Sequence, residues 1–315
     1  MAYYLGLDTS NYTTSVALYD GDTDCVIQQK RLLPVKEGAL GLRQSDAVFA
    51  HVKQLGELVS ALMADKPVSL AGIGVSVRPR ETKGSYMPCF LVGQLVAESL
   101  AAVGRLPLTH VSHQDGHIAA ALYATGQLGL IGKPFAAFHF SGGTTECLLV
   151  RPGNGRCFSI ELVAQSLDLK AGQAVDRVGG LLGLSFPAGK ALDSLARESQ
   201  AHFCVKPSLK GADCSLSGIE NRCQRMLAED APPCDVARYC IESILAVVDR
   251  MTAWVRESYG ELPIVYSGGV MSNSLIQEHI TQKYGGYFAS PQFSSDNAAG
   301  VAVLAKLAQT GGAAE

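Results

Sequence analysis

Apolar and polar positions fall into short, regular blocks along the first thirty residues. Residues 3–7 are apolar and β-rich, residues 8–14 (Asp-Thr-Ser-Asn-Tyr-Thr-Thr) are polar, and residues 15–19 are apolar again. Blocks of this length predict two strands joined by a polar turn. Asp20-Gly21 is a hairpin signal, and residues 25–29 continue the meander. The period then changes. From a cap at Ser45 or Asp46, apolar side chains recur at Val48, Val52, Leu55, Leu58, Leu62 and Met63, which predicts a long amphipathic helix. Residues 70–77 read as a buried strand, 78–84 as a charged loop and 90–103 as a helix. Residues 106–111 read as a short strand, with a further helix from 113 to 123.

Near residue 135 the pattern begins again. A strand over 135–140 leads into the turn Ser141-Gly-Gly-Thr-Thr145, a returning strand over 146–150, a turn over 151–155 and a third strand over 157–163. Thr13-Thr14, five apolar-rich residues, a Gly/Asp turn and Cys25 in the first half correspond to Thr144-Thr145, a similar run, a Gly/Asn turn and Cys157 in the second. The spacing agrees within one residue over about 25 positions, which reads as an internal duplication. Two lobes are expected, each opening with a β-meander and ending in α/β elements, with the boundary near 105–135. Further on, helices are predicted from 171 through 182, over 190–197 and over 235–257. A strand over 263–266 is followed by Ser267-Gly-Gly-Val-Met-Ser-Asn273, which opens a helix. Residues 294–300 cap the last helix, with Asp296 a candidate N-cap.

Composition narrows the class. The chain has 315 residues, 47% apolar and 17% charged, as expected of a globular chain long enough for two domains. A net charge of −3 leaves no overall nucleic-acid footprint, so RNA binding would need a local patch, for which Arg78, Arg80 and Lys83 are the candidates. Nine cysteines without a C-x-x-C pair read as reduced thiols used as small hydrophobes, which points to the cytoplasm. The N-terminus lacks the pattern of a signal peptide, and no stretch reads as a membrane span.

Five features carry candidate chemistry. His113 and His117 are four residues apart on a predicted helix, so they share one face and can reach one metal ion. Two imidazoles on a polar helix face need no metal, and Gln114 in place of Glu excludes the H-E-x-x-H zinc-protease motif. The polar turns at 8–14 and 141–145 can present successive backbone N–H groups to an anion, or they are ordinary hairpins. The strand–Gly268-Gly269–helix order can bring amides and a helix N-terminus to a ligand. Asp176 can accept a hydrogen bond from a sugar hydroxyl or lie in solvent. Asp296 can be an N-cap or the oxygen ligand that completes a His–His–carboxylate site.

Eight motifs in order carry a resemblance. They are Asp8-Thr-Ser10, His113-x-x-x-His117, Ser141-Gly-Gly-x-Thr145, Gly172-x-Ala-x-Asp176, Leu181-Leu-Gly-Leu-x-x-Pro-x-Gly189, Ser215-x-Ser-Gly218, Gly268-Gly-Val-x-x-Asn273 and Asp296-Asn-Ala-Ala299. Together they span nearly the whole chain, which resembles the TsaD family, formerly called O-sialoglycoprotein endopeptidases or glycoproteases. The resemblance implies a duplicated two-lobe α/β fold like actin, sugar kinases and the heat-shock ATPases, with a central nucleotide cleft. It implies an N-terminal lobe over 1–115 and a C-terminal lobe over 116–315. The implied activity is metal-dependent transfer of a threonylcarbamoyl group from threonylcarbamoyl-AMP to N6 of the tRNA adenosine beside the anticodon. By the same resemblance His113, His117 and Asp296 hold one divalent ion, iron or zinc. His139, Phe140, Ser141, Gly142, Gly143, Asp176, Gly189, Asp193, Gly268, Gly269 and Asn273 bind the adenine nucleotide, threonylcarbamoyl-AMP or ATP, and Asp8 and Ser10 act in catalysis. The implied partners are tRNA, a smaller TsaB-like paralogue and a TsaE-like ATPase, with no membrane.

The chain also departs from the family pattern. Asn11-Tyr12-Thr13 replaces Cys-Asp-Glu, Arg78-Pro-Arg80 replaces Gly-Pro-Gly, Thr144 replaces a His, and Ser217-Gly-Ile-Glu220 replaces Ser-Gly-Leu-Lys. These departures mark a divergent paralogue. Two other readings therefore stand beside the tRNA reaction: a carbamoyl transferase acting from a carbamoyl-adenylate on another acceptor, and a nucleotide-binding regulatory or scaffold subunit without turnover.

Overall fold

The computed structural model describes residues 2–10, 12–34, 42–64, 69–154, 157–294 and 298–309. In chain order it contains β1 (Tyr3–Asp8), β2 (Thr13–Asp20), β3 (Cys25–Leu32), α1 (Gln44–Met63), β4 (Leu70–Arg78), α2 (Phe90–Gly104), β5 (Leu108–Ser112) and α3 (His113–Ala124). Then follow β6 (Phe135–Phe140), β7 (Thr145–Pro152), β8 (Phe158–Gln165), α4 (Ala171–Leu181), α5 (Gly189–Glu198), β9 (Ser208–Lys210), β10 (Asp213–Ser215) and α6 (Ser217–Ala228). The remainder is α7 (Pro233–Tyr259), β11 (Ile264–Ser267), α8 (Ser274–Tyr284), β12 (Tyr287–Phe288), α9 (Pro291–Ser294) and α10 (Ala299–Gln309).

The chain divides into two compact units. The first comprises Met1–Lys133, Pro152–Ser159 and Phe293–Glu315, and the second Pro134–Arg151 and Ile160–Gln292. The expected lobes, 1–115 and 116–315, are a single cut in chain order, whereas these units are not contiguous in sequence. The reason is that α3 and the distant α10 both cover the first sheet.

That sheet has the order β3-β2-β1-β4-β5. β1 pairs antiparallel with β2 and parallel with β4, which pairs parallel with β5. Side chains alternate across it. Leu5, Leu7, Val16 and Leu18 face Leu55, Leu58 and Leu62 of α1 and Val92, Ala97 and Ala101 of α2. Tyr4, Ala17 and Tyr19 face Ala299, Ala302 and Val303 of α10. Burial on both sides explains why β1 and β2 read as unbroken apolar runs. The second unit holds a sheet of order β12-β11-β6-β7-β8. Here too a meander adjoins two parallel strands, with β6 antiparallel to β7 and parallel to β11. The two sheets thus share one topology, as the sequence repeat predicts, and together with their helices they form the duplicated two-lobe α/β fold.

Two sequence expectations change in α1. The N-cap residue is Arg43, which makes no side-chain cap bond, and Asp46 lies in the first turn. Val52 is 60% exposed, and the buried stripe runs through Ala47, Ala50, His51, Gln54, Leu55, Leu58 and Leu62. His51 and Gln54 are buried because both bond to Thr14 of β2. β5 begins two residues later than expected and ends at Ser112. Asp296, the expected cap or ion ligand, lies outside the described residues, as does Asn11. Among the described residues no helix is long and apolar enough to cross a membrane. Five cysteines, Cys89, Cys147, Cys214, Cys223 and Cys240, are buried thiols.

α10 lies unusually close to its neighbours. A β-carbon on Gly300 would stand 1.9 Å from the Gly116 carbonyl oxygen and 2.5 Å from Ala120 N, both in α3. On Gly6 it would stand 2.5 Å from the Ala298 carbonyl oxygen. These are backbone atoms that a side-chain rotation cannot move aside. Gly300→Ala is therefore expected to destabilise the protein by about 1–3 kcal/mol in urea unfolding. Gly56→Ala, at an exposed position of α1 with nothing within 4 Å, is expected to stabilise it by about 0.5–1 kcal/mol. Equal midpoint shifts for the two would contradict this packing.

Candidate functional site

In the first unit, chemistry collects at the C-terminal end of β1. Asp8-Thr-Ser10 gives each residue a separate task. Asp8 is fully buried. Its Oδ2 accepts from Ser10 Oγ at 2.8 Å, and its Oδ1 accepts from Ser76 Oγ of the neighbouring β4. Thr9 points to the other face of the sheet, donates to the Cys89 carbonyl at 2.9 Å and accepts from Gly93 N at 3.1 Å, which ties α2 to β1.

The two histidines open α3 for a local reason. Ser112 is the N-cap and Asp115 is the third helical residue, and they form a reciprocal capping box. Gln114 N also donates to the Pro79 carbonyl, which pins this helix end to the loop after β4. His113 and His117 then lie one turn apart. Their rings meet edge to face with centroids 4.3 Å apart, and their Nε2 atoms are 2.9 Å apart. On the other side of the first ring, His113 Nδ1 is 3.1 Å from Asp8 Oδ2. Phe90 presents an edge to the same ring at a centroid distance of 6.2 Å.

This pair fits an ion. Where Asp8 is ionised it only accepts, and His113 then carries its proton on Nδ1 and its lone pair on Nε2. Two nitrogens about 2.05 Å from one ion stand about 2.9 Å apart at a right angle and about 3.3 Å apart at the tetrahedral angle. The observed separation matches the right-angled arrangement of a six-coordinate ion. It equally suits a proton shared between the rings. Among the described residues no group of three His, Cys, Asp or Glu side chains is arranged to hold a metal ion.

Of the residues expected to hold an adenylate, His139 to Gly143 lie at the end of β6 and Gly268 and Gly269 follow β11, the strand paired with it in the second unit. Ser141 N donates to the Thr144 carbonyl at 2.7 Å, and Thr144 N to Ser141 Oγ at 3.1 Å, closing the turn after Phe140. A β-carbon on Gly172 would lie 2.5 Å from Gly142 N, so glycine there lets the first turn of α4 press against this turn. A β-carbon on Gly268, which has φ +97°, would lie 2.2 Å from the Phe140 carbonyl oxygen. Gly142, Gly143 and Gly269 have nothing within 4 Å of that position, so their backbones border open space. His139 Nδ1 is 3.0 Å from Ser267 Oγ, which donates to the Phe138 carbonyl; the histidine is therefore the donor to the serine.

Three of the expected ligands have protein partners. Asp176 Oδ1 accepts from Ala188 N at 2.9 Å, next to Gly189. Asp193 accepts from Asn273 Nδ2 at 2.9 Å and from Ser274 Oγ at 2.8 Å. Asn273 also caps α8 through Leu275 N and Ile276 N. Ser217, in the Ser-x-Ser-Gly motif, donates to Asp168 Oδ2 at 2.6 Å. Glu220, where the family carries a basic residue, pairs with Arg177 at 2.9 Å.

Sequence reading missed His51. It is fully buried, with Nδ1 2.8 Å from Thr14 Oγ1, and Nε2 has no hydrogen-bond partner among the described residues. Burial pushes its pKa down to about 4, against the opposing pull of Asp8. The only sequence signal was a histidine where the helical period places an inward position.

The sequence model of the TsaD family, described as tRNA N6-adenosine threonylcarbamoyltransferase, matches residues 35–303. Solved structures resemble the fold. HypF from T. kodakarensis is 14% identical with a TM-score of 0.60, covering 99% of this chain and 47% of that one. Full-length HypF in the phosphate- and nucleotide-bound form is 16% identical with a TM-score of 0.58, covering 98% and 55%. The activator of the 2-hydroxyisocaproyl-CoA dehydratase from Clostridium difficile, with bound ADPNP, is 15% identical with a TM-score of 0.55, covering 98% and 97%. The chain spans about half the length of the two HypF chains.

His51 gives a stability prediction. Its folded pKa of about 4 lies below the ordinary 6.5, so the folded state resists protonation. Its contribution is whole above pH 6.5 and is lost as the pH falls toward 4, by on the order of 3 kcal/mol in total. Urea unfolding between pH 7 and 4 should show that loss in the wild type and a shallower one in His51→Asn. Parallel pH profiles would contradict the assignment.

Proposed function

The chain belongs to the TsaD family, and on that footing we propose that it is a metal-dependent transferase using threonylcarbamoyl-AMP, with N6 of the tRNA adenosine adjacent to the anticodon as acceptor. Membership carries the coarse function, transfer of a carbamoyl-type acyl group. The metal and the acceptor are the proposal. The observation that supports it most is the convergence of His113 and His117 Nε2 at 2.9 Å, with Asp8 on the far nitrogen of His113.

In this reading His113 and His117, with Asp296 as an oxygen ligand, hold one iron or zinc ion. When bound, such an ion supplies Lewis acidity toward acyl and phosphate oxygens. The glycine turns at Gly142-Gly143 and Gly269, which carry no β-carbon on their open side, receive the phosphate in the manner of other glycine-rich anion cradles. His139, Phe140, Ser141, Asp176, Gly189, Asp193 and Asn273 shape the adenylate pocket, several of them by holding its walls together. The acceptor nitrogen attacks the carbamoyl carbon, a C–N bond forms, the bond from that carbon to the AMP phosphate oxygen breaks, and the nitrogen loses a proton to solvent. AMP is a good leaving group, so the chain's main contribution is position. A smaller TsaB-like paralogue and a TsaE-like ATPase are the proposed partners.

One observation favours a second reading, nucleotide binding in a regulatory subunit without turnover. Glu220 is acidic where the family is basic, so this position offers a substrate no positive charge, and it pairs with Arg177 instead.

The protein purified with its partners is expected to carry metal and to modify tRNA. His113→Ala with His117→Ala is expected to lose both, as read by elemental analysis and by mass spectrometry of tRNA nucleosides. Wild-type protein that binds ATP but leaves tRNA unmodified would favour the regulatory reading. Arg78 pairs with Glu81 at 3.1 Å, and Arg80 and Lys83 complete the proposed RNA patch. Neutralising these two should weaken tRNA binding and reduce the salt slope by roughly one to two phosphate contacts. An unchanged slope would remove the patch.

A further inference from the structure

Asp8 has the position of a reacting acid but not its exposure. Its carboxylate is fully buried at the end of β1, and Ser10 Oγ, Ser76 Oγ and His113 Nδ1 are among the groups that converge on it. A buried carboxylate needs such donors, since an uncompensated one is strongly disfavoured. A group so enclosed does not meet a substrate. What it does meet is the imidazole whose other nitrogen faces His117.

We propose that Asp8 is a positioning residue, a carboxylate that holds His113 by its Nδ1–H so that Nε2 is kept as the ion-ligating atom. This rests on the reading that His113 and His117 hold an ion, and it assigns Asp8 a task within that site. Ligating histidines commonly donate their second N–H to a carboxylate, which sets tautomer and ring orientation and raises basicity. The surroundings here suit that task. Ser10 and Ser76 approach the carboxylate from two segments and fix its plane. Ser76 stands on β4, the parallel neighbour of β1. The edge contact from Phe90 limits rotation of the His113 ring. The Asp8-Thr-Ser10 motif then has a single physical sense. Its first residue orients the histidine, its third orients the first, and its second anchors α2.

Proton placement follows. With His113 neutral and protonated at Nδ1, the hydrogen bond across the 2.9 Å gap is donated by His117 Nε2–H. An entering divalent ion displaces that proton from Nε2 while Nδ1 of the same ring takes one up through solvent, so His117 stays neutral and no redox step is involved.

The test has two arms. In the first, long-range proton–nitrogen correlation spectra of the full chain, labelled at histidine and ion-free at pH 8, should show His113 protonated at Nδ1 and bare at Nε2. In Asp8→Asn that preference should weaken or reverse. In the second arm, equilibrium dialysis against Zn²⁺ should show binding weakened about 10–100-fold in Asp8→Asn. A wild-type His113 protonated at Nε2, or equal Zn²⁺ affinity in the two proteins, would overturn the positioning role. Absence of Zn²⁺ binding by the wild type would count against the ion reading itself, and the tautomer spectrum would still decide what Asp8 does. If Asp8→Asn fails to fold, the wild-type spectrum decides alone.

Discussion

A carboxylate without exposure must be met by donors, and that requirement organises the first unit. Asp8 draws Ser76 from the adjacent strand, Ser10 from the turn and His113 from the first turn of α3. The chain reaches these groups across 68 and 105 residues. Each donor carries one element with it, so the electrostatic need of a single side chain sets the ends of β1 and β4 and the start of α3 together. The capping box at Ser112 makes the arrangement stiff, because the helix that presents the imidazoles cannot fray from that end without losing its own bonds.

The second unit meets a different constraint. Its glycine turns are backbone surfaces, and a backbone is approached closely only where no β-carbon intervenes. Two kinds of glycine divide the work. Gly172 and Gly268 let α4 and the segment after β11 press on the end of β6, while Gly142, Gly143 and Gly269 leave their surfaces open. The polar side chains nearby serve mainly as ties. Asp193 joins α5 to the start of α8, and Asp176 holds the approach to α5 through Ala188 N. A residue can thus belong to a nucleotide motif because it keeps the walls in place, without itself facing the ligand.

Much of the fold was legible before any coordinates. The meander after Tyr3 and its repeat after Phe135 show in the alternation of apolar and polar blocks, because a strand's period is short and local. The histidine pair was legible for the same reason, since four residues is one helical turn. Relations that depend on distant partners were not. Val52 fits the apolar period of α1 and yet faces outward, whereas polar His51 and Gln54 face inward because Thr14 waits on β2. Asp8 was legible as a motif residue, but nothing local to it names His113. The Arg177–Glu220 pair turns an apparent loss of a basic residue into a structural contact. The cut at 115/116 followed chain order and had no means of placing α10 beside β1.

The interruption of the first unit has a consequence for how the chain is made. The face of β1 and β2 carrying Tyr4, Ala17 and Tyr19 is covered by α10, which is synthesised long after both strands. The residues between Asp20 of β2 and Ala299 of α10, about 280 of them, take on the order of fifteen to sixty seconds to synthesise. During that interval the second unit can complete itself, while an apolar sheet surface emerges early and waits. A nascent chain of this kind is one that chaperones would be expected to hold.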